Sequence, residues 1–425
     1  MGRNRPRIAD VTDAIIIGAG AAGLAAARDL SGAGKTVVIL EARERIGGRI
    51  FTNHVADVPL PIELGAEFIH GEAQETFAIV EAAALLVYQL PDDHWWSTGK
   101  QWRRMPDFWK AQKKIWARVP ARGHDISVAD FLKRQKSLSP RLKRLAINFV
   151  EGYHASHADR ISAASMRGTG EENEAPKQFR IANGYDALLE VLRTGLDPSR
   201  SVVHLATEVT EVHWKKGSVD VRTRRGDSFH ARAAVVTIPL GVWKSEAAIE
   251  FDPRLRQKER AVEKLEVGHD VKIVFRFRER FWDPTCNFVH TMDPFLPTWW
   301  TTAPARSTLL TGWAGGHAAD RLLAANDIAG RALQSLASSF MVNRRKIDSL
   351  LDSVHMHNWQ ADPFSRGAYS YAGVGGEGAH NSLAKPVAGT IFFAGEATTA
   401  EETGTVAGAI TTGRRAAKQL LAALA

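Results

Sequence analysis

The stretch GAGAAG at 18–23 sets glycines at positions 18, 20 and 23. The first allows a tight turn, the second lets backbone approach a pyrophosphate, and the third lets a helix pack closely on a strand. The stretch follows the aliphatic run AIII and opens LAAARDL, so helix N–H groups and Ala22 would face the phosphates. Glu41 stands 18 positions beyond Gly23. An acid there accepts hydrogen bonds from both ribose hydroxyls, and its charge repels a 2′-phosphate. Together these features predict a dinucleotide site. The next residues, EARERIGGR at 41–49, bracket Gly47 and Gly48 with Arg45 and Arg49, offering a second approach of backbone and guanidinium to phosphate. A different chemistry stands at GHDVKIVFRFR, 268–278, where Lys272 interrupts an apolar run. Val271, Ile273, Phe275 and Phe277 alternate on one strand face. Lys272, Val274 and Arg276 take the other, for which solvent is the ordinary expectation.

These residues need elements to hold them. Residues 13–41 read as strand, glycine turn, helix and strand, a compact βαβ unit. Residues 95–180 carry clustered tryptophans (Trp95, Trp96, Trp102, Trp109, Trp116), and helical spacing with basic faces dominates. Residues 201–239 alternate and carry a KKG turn, which predicts strands. Further strands are expected over 270–315, helix over 318–352, then strand, loop and helix over 390–424. Dinucleotide-type elements thus lie at the start, middle and end, and a second domain is inserted in pieces.

The chain has 425 residues with 44% apolar and 24% charged content, as in a globular enzyme. Lys and Arg number 55 against 47 Asp and Glu, a formal net charge of +8. The excess is spread over segments such as WRRMPDFWKAQKK, which read as solvated helix faces and predict no nucleic-acid partner. The single cysteine, Cys286, excludes an intramolecular disulfide. No window of about 18 apolar residues predicts a membrane span. Pro6 stands where a myristoylation motif wants Ser or Thr. A cytoplasmic monomer or homodimer is the expectation. His154 with His157, and His355 with His357, lack the companions of a zinc site, and no metal is expected.

In combination, the blocks GAGAAG, EARERIGGR, ELGAEFIHG (63–71), TEVTEV (207–212), VTIPLGVWK (236–244) and IFFAGEATTAEETGTVAGAITTG (391–413) resemble the flavin amine oxidase superfamily, in order along nearly the whole chain. The resemblance implies FAD and an α/β (mixed α+β) fold. A Rossmann-like FAD-binding domain of the glutathione-reductase type (8–75, 190–250 and 385–425) would be joined to a discontinuous substrate-binding domain (76–189 and 251–384). It implies that Glu41 binds the adenosine ribose with Arg43 close by. Gly48 and Arg49 would hold the pyrophosphate side, and Gly65, Ala66 and Glu67 would line the flavin. The Val209 backbone would meet adenine, and Gly395 and Glu396 the ribityl or phosphate region. Thr405 and Val406 would open a helix aimed at the flavin pyrimidine.

HNWQADPFSRGAYSYAGVG, 357–375, resembles the substrate-side wall of polyamine and spermine oxidases and of lysine-specific histone demethylases. It implies Trp359 and Tyr369 beside the reactive ring, where aromatic faces hold an amine. Lys272 resembles a lysine that holds water next to flavin N5, and His70 a histidine at the cavity edge. Ala368 replaces the cysteine that attaches FAD in monoamine oxidases, so FAD is expected to be non-covalent. Thr405 replaces their second cage tyrosine, which moves the reading toward the polyamine branch. Glu67, Glu72 and GEENE at 170–174 could receive distal ammonium groups of a polyamine. The implied reaction oxidises a C–N bond, with O2 as acceptor. Three alternatives stay open: an L-amino-acid or monoamine oxidase, a C–C desaturase or porphyrinogen-oxidase relative, and a chromatin-associated flavoprotein. Glu67-Phe68 argues against an L-amino-acid oxidase, whose relatives place an arginine there for a substrate carboxylate.

Overall fold

The computed structural model describes residues 12–167 and 177–425; GEENE at 170–174 lies outside them. Strand Thr12–Ile17, helix Ala21–Gly32 and strand Val37–Leu40 form the expected βαβ unit. The two strands pair in parallel. They sit inside an eight-stranded sheet ordered 201–204, 37–40, 12–17, 228–236, 218–223, 209–215, 250–252, with 391–393 also pairing on 228–236. The KKG turn closes the hairpin between Val209–Lys215 and Ser218–Thr223, with Gly217 at φ +76° as a two-residue turn requires. Helices Ala21–Gly32 and Val406–Leu424 cover one face together. Their approach is close: a Cβ on Gly413 would lie 2.3 Å from the Ala22 carbonyl oxygen. Leu24, Leu30, Ile410 and Leu420 are fully buried there, each contributing about 2 kcal/mol of apolar burial.

A second, seven-stranded sheet runs in the order 351–356, 270–277, 309–315, 298–301, 288–290, 94–97, 102–104. The alternation read from the sequence holds on Asp270–Phe277. Val271, Ile273, Phe275 and Phe277 pack into one core with Leu310, Leu322, Leu336 and Phe340. The opposite face is buried at Lys272 and Val274, 2% and 3% exposed, and reaches solvent only at Arg276, which pairs with Asp352. It forms the floor of a cavity.

Two expectations are corrected. Trp95, Trp96 and Trp102 lie on strands His94–Ser97 and Trp102–Arg104, not on helices. Aromatic residues fit a pleated surface, and cross-strand pairing outweighs the local helical spacing. The helical stretch 318–352 is three helices, Gly316–Leu323, Ile328–Phe340 and Arg344–Leu350. Side chains of Asp327 and Asn343 cap the second and third, accepting from Gly330 and Arg345 N–H.

Candidate active site

The glycine turn is built as its spacing predicts. Gly18 has φ +107°, and a Cβ on Gly23 would sit 2.0 Å from the Gly18 carbonyl oxygen. A Cβ on Gly20 would meet nothing within 4 Å, so this is the open side of the turn. The second glycine pair lies against the first: Gly47 N–H donates to the Ala19 carbonyl at 2.8 Å. Glu41 is buried and holds the turn, accepting from Ala19 N–H at 2.7 Å and Arg43 N–H at 2.9 Å. These features fit a dinucleotide phosphate backbone: a bare glycine face, two close-lying turns and a buried acid. The residues that the resemblance assigns to the cofactor and the reaction wall line one cavity of about 1200 Å³. Gly23 packs beneath it, Arg45 turns onto the carbonyls of residues 46, 48 and 50, and Glu72 lies outside it.

Several of the lining residues also make contacts within the protein. The Arg43 guanidinium is held by Asp362 at 2.8 Å and the Ser365 hydroxyl at 2.9 Å, over the Phe364 ring. Arg49 pairs with Glu396 at 2.9 Å and also donates to the Ala368 carbonyl. Glu396 further accepts from the Ser370 hydroxyl at 2.7 Å and from Gly404 N–H at 3.2 Å. Burial alone would raise the Glu396 carboxyl; Arg49 and Ser370 outweigh it and hold the group ionised. Arg43, Arg49 and Glu396 are therefore braces of the site. The Thr405 hydroxyl is spent as the N-cap of Val406–Leu424, accepting from Gly408 N–H at 2.9 Å and donating to Glu402 O. Among the described residues, Val406 and Ala407 are left with first-turn N–H groups that no protein acceptor meets. The helix dipole therefore opens into the cavity through them. The Val209 side chain is buried at the start of its strand.

Trp359 donates from its indole to the Leu64 carbonyl at 3.0 Å and packs edge-on against His357. Tyr369 donates its hydroxyl to the Tyr153 carbonyl at 2.8 Å. Burial and then the neighbouring Asp270 charge push the phenol well above its ordinary value, so it stays neutral. His70 rests edge-on against Phe68 and Tyr153, and burial lowers it to about 4, leaving a neutral imidazole. Gly65 lies directly on residue 49: a Cβ there would fall 1.9 Å from the Arg49 carbonyl oxygen.

Lys272 points into this cavity with its ammonium 2.5 Å from Glu67 and 3.1 Å from the Gly65 carbonyl. Glu67 in turn takes Arg180 at 2.7 Å and the Trp300 indole N–H at 3.1 Å. Burial acts to raise the Glu67 carboxyl, but Lys272 and Arg180 together keep it below its ordinary value. Glu67 is thus the partner that lets an amine be buried here, rather than a free anion for a substrate. Arg180 carries no local sequence signal, since only the fold sets it beside position 67. Glu72 pairs with Lys177 at the surface.

Asp270 was missed, although it shares the Lys272 face by simple alternation. It is 5% exposed, and among the described residues its Oδ1 is buried without a partner. Burial raises its carboxyl to about 6, against Lys272 and Arg49. A raised acid binds its proton more tightly when folded, so its penalty is full above about pH 6 and absent below its ordinary value. Asp270→Asn is expected to stabilise the apoprotein near pH 8 by on the order of 2 kcal/mol. The gain should fade toward pH 4. Urea unfolding at both pH values checks this, and a gain equal at the two would refute it.

Away from the cavity, His157, His317 and Asp320 place potential metal-donor atoms within 4.8 Å of one another. His157 bonds Asp320 and His317 bonds Asp159, each at 2.8 Å.

A doubly glycine-turned sheet end opening onto a buried lysine and aromatic wall defines a flavoprotein oxidase class. The chain belongs to the flavin containing amine oxidoreductase family, whose model matches residues 21–421. It is 30% identical to Polyamine oxidase 3 of Oryza sativa subsp. japonica, over 98% of this chain and 91% of that one. It is also 30% identical to Polyamine oxidase 2 of Arabidopsis thaliana (95% and 87%). With the human Lysine-specific histone demethylase 2 it shares 28% identity over 96% of this chain but 53% of the other. The fold matches that of putrescine oxidase bound to putrescine, with TM-score 0.82, 19% identity and 97% and 99% of the chains covered. It likewise matches cyclohexylamine oxidase from Brevibacterium oxydans, with TM-score 0.81, 20% identity and the same coverage. The fold is mixed α/β with a Rossmann-like FAD-binding unit, and the activity is FAD-dependent amine oxidation.

Proposed function

We propose that the protein oxidises a C–N bond of a polyamine in this cavity, with O2 reduced to H2O2 and the imine hydrolysed to an aldehyde. The observation that carries the reading is Lys272, a buried ammonium on a cavity floor continuous with the glycine cradle. Bound FAD supplies the hydride acceptor for the amine and the electron donor for O2. The chain supplies the surroundings. Trp359 and Tyr369 present ring faces that attract a cationic amine and hold it once neutral. Lys272 offers a fixed positive charge where negative charge develops, and positions water. Val406 and Ala407 N–H groups and the helix dipole favour an anionic cofactor edge. His70, neutral, lines the substrate side.

FAD is held without a covalent bond in this reading. Ala368 offers no thiol, and Cys286 is 1% exposed in the core beneath the second sheet, away from the cavity. The residues 8–75, 190–250 and 385–425 form the FAD-binding domain and 76–189 and 251–384 the substrate-binding domain. Among the described residues no helix is long and apolar enough to cross a membrane. A cytoplasmic monomer or homodimer without a nucleic-acid partner completes the proposal. An L-amino-acid substrate is disfavoured because an acid, Glu67, stands where such oxidases place an arginine for the carboxylate, and Arg180 is paired with Glu67 and does not line the cavity.

The test is peroxide release from the holoenzyme with spermine, spermidine, their N-acetyl forms, putrescine, aromatic monoamines and amino acids. Turnover of polyamines above monoamines is expected. Activity confined to amino acids would overturn the assignment.

A further inference from the structure

Register on the second sheet sets a row across the cavity floor. Lys272 pairs with Trp313, Trp313 with Thr298, and Thr298 with His290. Directly paired residues share a face, and all four line the cavity. Three strand spacings of about 4.8 Å place His290 about 14 Å from Lys272 along the floor.

His290 ends a chain of hydrogen bonds. Its Nε2 lies 2.8 Å from His94 Nδ1, and His94 Nε2 lies 2.9 Å from an Asp92 carboxylate oxygen. A carboxylate only accepts, so His94 Nε2 carries the proton and its Nδ1 accepts. His290 Nε2 is then the donor, which makes its Nδ1 an acceptor. Among the described residues that atom has no protein partner. The rings are locked: His94 stacks between Phe108 and Phe288 at 4.4 and 5.1 Å, and His290 stacks on Phe108 at 5.0 Å.

We infer that the Asp92–His94–His290 chain is a distal amine subsite that selects long diamines and triamines. An ammonium donating to His290 Nδ1 is compensated by the Asp92 charge relayed through two oriented imidazoles. Trp313 and Trp300 line the cavity beside this row, and an indole suits a middle nitrogen. An extended chain advances about 1.25 Å per bond, from bond lengths near 1.5 Å. A span of about 10–14 Å between nitrogens therefore takes about eight to eleven bonds. Putrescine, with its two nitrogens separated by only a four-carbon chain, falls short. The inference rests on the amine-oxidase reading and deepens it.

The experiment measures kcat and KM by O2 uptake for α,ω-diamines of about four to about twelve carbons, each beside its n-alkyl monoamine. In the wild type, diamine preference over the matched monoamine is expected to peak near about eight carbons, at about ten-fold or more, as hydrogen bonds to charged groups give. Asp92→Asn and His290→Phe should collapse that preference mainly through KM. Retained FAD absorbance and unfolding temperature show that both variants fold; Asp92 is half exposed and tolerates the change. Equal use of diamines and monoamines at every length, or a preference surviving in both variants, overturns the subsite. Turnover of no amine at all overturns the parent reading instead.

Discussion

Lys272→Met is expected to slow O2 consumption by the amine-reduced enzyme about 10²- to 10³-fold, the range seen when one preorganised electrostatic donor is removed. Anaerobic reduction by amine should change by less than about ten-fold. The asymmetry follows from geometry. Lys272 is the one member of the Glu67 cluster that lines the cavity as a cation, whereas Arg180 sits behind. Without the ammonium, Glu67 keeps Arg180 and the Trp300 indole, so the variant is not left with an unpaired buried carboxylate. Glu67→Gln is the harsher change for stability, since it strands two buried cations. Rapid mixing separates the two half-reactions. Slowing of both by the same factor would remove the assigned role of Lys272.

The second large effect concerns two glycines that look alike in sequence. Gly23→Ala should lower the unfolding temperature of the apoprotein and abolish flavin retention, because the new methyl would meet the Gly18 carbonyl at 2.0 Å. Gly20→Val should leave apoprotein stability nearly unchanged, since nothing lies within 4 Å of the added Cβ. Its FAD affinity should nonetheless fall about 10²-fold or more, because the side chain occupies the face a pyrophosphate needs. Thermal unfolding of apoprotein with FAD titration distinguishes the pair. Parallel losses in both variants would show that Gly20 serves packing rather than binding.

Much of this was legible because it is local. The glycine turn, Glu41 and the closing helix Val406–Leu424 depend on neighbours in sequence, and the structure draws these elements as read. The alternation at 271–277 correctly divided a strand into two faces. A period of two cannot say what medium each face meets, so spacing alone leaves the Lys272 face to solvent; the resemblance, not the alternation, puts Lys272 beside the flavin, and the structure sets it against Gly65 and Glu67. Asp270 could have been found on the same argument. Arg180 and the His94–His290 contact could not, since the latter joins residues 196 positions apart. Helix breaks at Asp327 and Asn343 were signalled by capping residues that the periodic reading over 318–352 passed over.

One oxygen of the Asp362 carboxylate, Oδ2, takes both Arg43 and His357, each at 2.8 Å, and the His357 and Trp359 ring centroids lie 4.2 Å apart. A single rigid strut thus joins the segment after Glu41 to the indole of the reaction wall. Loosening at the Arg43 end would reach Trp359 through Asp362 and His357, so under the proposed assignment grip on the cofactor and alignment of the amine are coupled.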